Sequence, residues 1–238
     1  MPVVVISGRI GSQARPIGRE VAQLLGADYV DHQILAEAAR KAGSTVEVME
    51  QKDERPSSTK EKIARFFHDF LEKSAAAGTA GDPLLGPMGI EVLMARSLEE
   101  EARPAVTSAQ ELSDARFTEI LTSTVKELAA SGNVVIIGRG GNIILRDRPK
   151  TTHVYVVSTW DSRVNTTMKR EGLDKLAAEK FVKKAEADRV SFYRKLFKAN
   201  PDDPLLYHLI LNVERLGNPV SARIIADAAR DIEAARCD

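Results

Sequence analysis

Residues 7–18 of the chain read SGRIGSQARPIG, between a run of valines and a helical pattern. A glycine-bearing turn that joins a buried strand to a helix can hold phosphate through its backbone alone. The first N–H groups of the helix lack intrahelical partners, and the helix dipole adds positive charge at the same end. The usual signature of such a loop is G-x-x-x-x-G-K-[ST], whose lysine reaches the outer phosphates. Counted from Gly8, the second glycine falls on Gln13, the lysine on Ala14 and the hydroxyl on Arg15. Gly8, Arg9, Ile10, Gly11, Ser12, Gln13, Ala14 and Arg15 are nonetheless expected to form an anion-binding loop, because most of its attraction is backbone-derived. Arg9 and Arg15 are the replacement cations, since a guanidinium can grip phosphate oxygens in pairs. The helix is expected to start between Ala14 and Ile17, with Pro16 suited to a first turn but supplying no N–H. One feature opposes this geometry: Gln13 and Ala14 resist the positive φ that glycine accepts.

Four further sites carry charge where chemistry could use it. Asp31, in DYVDHQIL, follows a short strand and opens a helix, the place of an N-cap. Arg139, in VVIIGRGG, stands just beyond the carboxyl end of a buried strand, where open α/β sheets bind ligands. Arg163, Lys169 and Arg170 lie on one helical stretch, and positions i and i+7 place Arg163 and Arg170 on a common face. Arg189 follows on the next helix, ahead of Phe192 and Tyr193. Trp160 and the four histidines have no metal-ligand spacing and read as packing or surface residues.

Short apolar runs position these residues. Residues 3–7, 134–138 and 153–158 are β-branched and apolar on both parities, as strands covered on both faces must be, with 28–30 and 209–212 as shorter strands. Helical periodicity over 17–25, 33–42, 117–130, 162–171, 175–197 and 219–235 separates them. This alternation predicts an α/β fold, a three-layer doubly wound parallel sheet of about five strands. Residues 44–115 break the alternation. They hold an amphipathic pattern with Ile63, Phe66, Phe67 and Phe70 on one side and then the Gly/Pro-rich GTAGDPLLGPMG, and are expected to form a helical insertion. Acidic and basic side chains balance at 34 each, so no overall field favours nucleic acid or an anionic membrane. The lone cysteine, Cys237, allows no disulfide within the chain, and no apolar run is long enough to span a membrane. With no leader pattern at Met1-Pro2, the expectation is a soluble cytoplasmic protein.

Taken in order, ISGRIGSQARPIGREVAQLLG, YVDHQILAEAARKAG, GNVVIIGRGGNIIL, VYVVSTWDSRVNTTMKREG and YHLILN resemble the cytidylate kinase-like family, a branch of the P-loop nucleoside monophosphate kinases. The resemblance runs from Val3 to about Ala235 and is diffuse in the insertion. Loops of that branch resemble SREYGSGGREIG, so Gly11-Ser12 and Arg15 match while Gln13 and Ala14 replace glycines. The resemblance implies a core of residues 1–43 and 116–238 with a helical lid at about 172–200, and an acceptor-side insertion at 44–115. It implies ATP and Mg2+, with Ser12 as a candidate metal ligand, small nucleotide substrates, and no nucleic-acid or membrane partner; a homo-oligomer is compatible with it. By the same resemblance, Asp31 stands at the mouth of the substrate site and Arg139 contacts the acceptor monophosphate. Arg163, Arg170 and Arg189, with Arg15, would close over the transferring phosphoryl group. The chain departs from the family's Gly-Arg-Asp motif at Gly140, and His208 stands where a tyrosine-aspartate-leucine strand has its aspartate. Neither His208 nor Asn212 is given a role. The implied activity is ATP-dependent phosphorylation of CMP or dCMP. The departures motivate two alternatives: a nucleotide-sensing protein without turnover, and a kinase of another small molecule.

Overall fold

Val3, Val4, Val5 and Ile6 are all buried, yet alternate residues belong to different cores. Successive strand side chains point to opposite faces, so an unbroken apolar run requires cover on both. The computed structural model, which describes residues 1–35, Ile63 and 108–235, supplies that cover. Five parallel strands are ordered β2-β3-β1-β4-β5: β1 (Val3–Gly8), β2 (Asp28–Val30), β3 (Val134–Ile137), β4 (Thr151–Val157) and β5 (Leu209–Asn212). On one face Val3, Val5, Val134 and Ile136 pack with Phe117, Ile120, Leu121 and Val125 of helix α2 (Ser108–Ser131). Ile63 is buried in the same cluster. On the other face Val4, Ile6, Val135, Val154 and Val156 pack with Ile17 and Val21 of α1 (Ala14–Leu25) and with Ala222, Ile225 and Ala229 of the C-terminal helix, Asn218–Ala234. Each fully buried Val or Ile side chain contributes roughly 1.5–3 kcal/mol, so this sheet is the rigid floor of the molecule.

The elements fall close to where the patterns predict. The helix expected to start between Ala14 and Ile17 starts at Ala14. That expected from residue 117 begins earlier, at Ser108, and so crosses the drawn boundary at 115/116. The helix expected over 33–42 is described only to Leu35. The insertion's Phe66, Phe67 and Phe70, and Cys237, lie outside the described residues. Among the described residues, no helix is long and apolar enough to cross a membrane.

Past β3 the chain makes a four-residue helix, α3 (Gly141–Ile144), before β4. After β4 come α4 (Trp160–Glu171) and α5 (Lys175–Phe197). Thr159 and Asp174 cap these two helices with side-chain oxygens, and Gly172 ends α4 in the left-handed region. The first half of α5 packs on α4 through Val164, Ala178 and Val182, whereas Phe192 and Tyr193 of its second half enter the core under the sheet. A short helix α6 (Val213–Leu216) and the C-terminal helix α7 (Asn218–Ala234) complete the fold.

His208 and Asn212 acquire structural roles here. His208 stacks on His153 with ring centroids 5.3 Å apart, and its Nδ1 accepts the His153 N–H at 2.9 Å, which ties β5 to β4. Asn212 caps α6 by accepting the Arg215 N–H. Burial of His153, with the charge of His208 nearby, lowers its pKa from 6.5 to about 4. Native His153 therefore stays neutral while the unfolded chain takes up a proton as pH falls from 6.5 towards 4, and stability falls over that window. The loss should reach about 2–3 kcal/mol at pH 4.5 and should shrink in His153→Phe. Urea midpoints of both proteins at pH 7 and 4.5 measure this. His32 titrates in the same window, so the difference between the two proteins is the quantity to read.

Candidate active site

The carboxyl ends of β1, β2 and β3 open into one cleft of about 1280 Å³. Its floor is the loop from Gly8 to Arg15, and its rim takes in Asp31 and His32 after β2, Arg139 after β3, Lys169 and Arg170 of α4, and Phe181 and Arg189 of α5.

The loop is open towards the cleft. The N–H of Ser12 and its hydroxyl both donate to the Arg9 carbonyl, at 3.0 and 2.6 Å. Ile17 N–H donates to the Gln13 carbonyl and begins the helical ladder. Among the described residues, the N–H groups of Gly11, Gln13, Ala14 and Arg15 have no hydrogen-bond acceptor. Gln13 does adopt the conformation it resists, at φ 67°, as the residue before α1. Its side chain leaves the helix end uncapped and donates instead to Thr166 Oγ1 of α4 at 3.1 Å. Gly11 lies at φ 86°, and a Cβ there would sit 2.6 Å from the Arg163 carbonyl oxygen. The loop thus rests directly on α4 and is shaped by it. The Ser12 hydroxyl, which points back into its own loop, retains only lone pairs for a metal. Among the described residues, no group of three His, Cys, Asp or Glu side chains could hold an ion.

Around the loop runs an ionic network that charge patterning does not foretell. Arg189 is buried, and its Nε and Nη2 donate to Glu186 Oε1 at 3.0 and 2.5 Å. The same Nη2 donates to Asp202 Oδ1 at 2.6 Å. Asp202 also accepts from the Tyr155 hydroxyl at 2.6 Å and from Arg9 Nη2 at 3.3 Å. Glu186 Oε2 accepts the N–H of Ile10, within the loop, at 3.0 Å. Burial opposes ionisation of Asp202, but the Tyr155 and Arg189 hydrogen bonds and the charges of Arg189 and Arg9 prevail and hold its pKa below the ordinary value. Burial, with Asp202 accepting its proton, pushes Tyr155 up to about 12. Glu186, Asp202 and Tyr155 went unrecognised in the sequence. The spacing of Glu186 and Arg189 on one helix face was the available signal for the first of them.

The arginines expected to act together are separated by depth. Arg163 does not line the cleft. It is buried beneath the loop, 5.3 Å from the Trp160 ring centroid and with Nη1 3.7 Å from Glu186 Oε2. Burial lowers its pKa, with Glu186 opposing the shift. Arg170 sits on the exposed rim, paired with Glu171 at 2.6 Å. Periodicity placed both on one face, but Arg163 lies at the start of α4, against the loop, while Arg170 lies in its last turn.

The other rim residues have defined settings. Asp31 caps the helical turn after β2, its Oδ1 accepting from the N–H groups of Gln33 and Ile34, while Oδ2 accepts from the Tyr29 hydroxyl at 2.9 Å. Arg139 is held at φ 54° between Gly138 and Gly140, both also left-handed, so the chain turns sharply out of β3. At Gly140 a Cβ would lie 2.2 Å from Phe197 Cε2. The position of the missing aspartate is therefore closed by an aromatic ring from the end of α5. Burial, with the charges of Arg139 and Arg15 nearby, lowers the His32 pKa to about 4.

A family model described as the cytidylate kinase-like family matches residues 3–215. No curated protein matches the chain. Among solved structures, it is similar to an uncharacterized protein from Eubacterium ventriosum ATCC 27560, at 16% identity and a TM-score of 0.59, over 97% of this chain and 99% of that one. It is also similar to shikimate kinase from Acinetobacter baumannii in complex with shikimate, at 14% identity and a TM-score of 0.47, over 99% of this chain and 96% of that one. At 16% identity, the first of these likenesses speaks to the fold alone. The family match takes in all five strands and every described element that lines the cleft, and the chain belongs to the cytidylate kinase-like family.

Proposed function

We propose that this protein transfers a phosphoryl group from ATP to a nucleoside monophosphate, with CMP or dCMP as the acceptor. The observation that carries this reading is the loop itself. Four N–H groups without acceptors among the described residues stand at the start of α1, facing a cleft that Arg15 and Arg139 also line. Phosphoryl transfer asks for little covalent chemistry from the protein, and positioned donors in a partly desolvated cleft supply most of what it needs. Gly11, Gln13, Ala14 and Arg15 would hold the donor's inner phosphates through backbone N–H groups, with the Arg15 guanidinium in the place of the lysine. Arg139 would fix the acceptor phosphate from the neighbouring strand end. Arg189 and Arg170 would neutralise charge on the transferring group. Magnesium carried by the nucleotide, with Ser12 as its protein ligand, would supply further neutralisation of the phosphate oxygens.

With Phe197 where the family has an aspartate, the acceptor base would be read weakly and its phosphate strongly. CMP should be preferred over UMP by less than about a hundredfold. Arg139→Ala should weaken CMP binding by about tenfold or more and leave ATP binding nearly unchanged. Calorimetric titrations with each nucleotide, together with a coupled assay over the nucleoside monophosphates, test the reading. Loss of ATP binding instead of CMP binding in Arg139→Ala would show that the two sites are assigned the wrong way round. The nucleotide-sensing alternative is favoured by one observation, the Glu186 carboxylate seated on a loop N–H. Nucleotide binding with no turnover on any acceptor would establish it.

A further inference from the structure

One N–H of the loop, that of Ile10, already holds an anion, and it belongs to the chain. Glu186 projects from α5 so that Oε2 accepts the Ile10 N–H at 3.0 Å and lies 3.7 Å from Arg163 Nη1, while Oε1 receives Arg189 at 2.5 and 3.0 Å. One backbone N–H and two buried guanidinium groups thus converge on a single carboxylate. A phosphate oxygen placed over the loop would seek the same kind of donor set.

The partners of Glu186 do not depend on it for their positions. Arg189 is also held by Asp202 at 2.6 Å and stands 5.9 Å from the Tyr155 ring centroid. Arg163 is fixed by the Trp160 ring and by the Ile10 carbonyl, to which its Nη1 donates at 3.5 Å. Removal of the Glu186 carboxylate would therefore leave Arg163 and the Ile10 N–H without that counter-charge, and Arg189 with Asp202 alone.

We propose that Glu186 is a resident counter-anion of the phosphate loop, displaced by the donor's phosphate chain, and that it sets donor affinity by competing for the Ile10 N–H and Arg189, two residues that line the cleft. The proposal rests on the loop being the donor site but not on the identity of the acceptor. Like charges brought together in a partly buried site repel strongly, so a phosphate chain entering beside an undisplaced carboxylate would be disfavoured.

Inorganic tripolyphosphate, titrated calorimetrically into the full chain, reports this exchange without a nucleoside. Glu186→Gln, which keeps the shape and an acceptor oxygen but not the charge, should bind tripolyphosphate and ATP about tenfold more tightly than the unmodified protein. Glu186→Asp, with the charge retained, should bind them no more tightly than the unmodified protein. Melting temperatures of the two variants check that both are folded. Weaker or unchanged tripolyphosphate binding in Glu186→Gln would overturn the proposal and mark Glu186 as a strut or as a substrate-reading group. Equal tightening in both variants would also overturn it, since charge would then not be the cause. Tightening confined to Glu186→Gln, with no turnover of any monophosphate, would support the proposal while overturning the kinase reading.

Discussion

Arg189→Met should destabilise the fold by about 3 kcal/mol at pH 7 and abolish phosphoryl transfer. The side chain is buried between Glu186 and Asp202, and its Nη2 touches both carboxylates. Methionine would fill much of the volume but would leave two acidic groups facing one another without their shared cation. Breaking one side of a buried pair costs about 3–5 kcal/mol; the lower end applies because Glu186 and Asp202 remain partly exposed. The pH dependence identifies the cause. Asp202 has a folded pKa held below its ordinary 3.8, so its contribution is present above that value and is lost as pH falls through the folded pKa. The gap between variant and unmodified protein should therefore be wide at pH 7 and narrow steadily below about pH 4. Urea unfolding at both ends of that range measures it. A gap that stays constant with pH would mean that lost packing, not charge, is responsible.

The second large effect runs against what the family motif suggests. Gly140→Asp rebuilds the Gly-Arg-Asp sequence, yet it should destabilise the protein by about 2–4 kcal/mol and bring no gain in CMP turnover. Gly140 lies at φ 69°, which costs an L-residue about 1–2 kcal/mol, although aspartate tolerates it better than most. The new Cβ would stand 2.2 Å from Phe197 Cε2 and 2.4 Å from Cζ. The partly buried Phe197 ring is packed edge-on against Phe192 and Tyr193, with centroids 5.6 and 5.9 Å away, and would have to leave those contacts to make room. Overpacking of this kind costs about 1–3 kcal/mol. Gly140→Asp combined with Phe197→Ala removes the collision and isolates the chemistry. A single variant as stable as the unmodified protein would overturn the steric account. A double variant that gains CMP selectivity would show that the ring, not the backbone, displaced the aspartate.

Much of the fold was legible because interior strands and amphipathic helices write their burial into residue type. Val3–Gly8 and Val134–Ile137 are apolar on both parities, and both faces are covered. α5 spans the residues its periodicity marks, Lys175–Phe197. Less was legible at the site. The loop between Gly8 and Arg15 could be read from its glycines and its place after a buried strand. Arg139 could be placed at a strand end. The carboxylates that hold the arginines could not be read, because Asp202 lies in an irregular stretch with no period, and it meets Arg9 across most of the chain length.

Residue type and periodicity by themselves therefore determined the five strands, the helices between them, and a glycine-bearing loop that leads into the start of α1. These follow from local rules, since hydrophobic alternation and helix-end chemistry act over a few residues. Only the tertiary structure decided that Arg163 lies beneath the loop while Arg170 lies on the rim, that Phe197 closes the space beside Gly140, and that Glu186 occupies one of the loop's own donors, the Ile10 N–H. Periodicity assigns a side chain to a face but not to a depth along it. Depth and ionic partners are set by how α4 and α5 settle against the loop, through contacts between residues up to nearly two hundred positions apart.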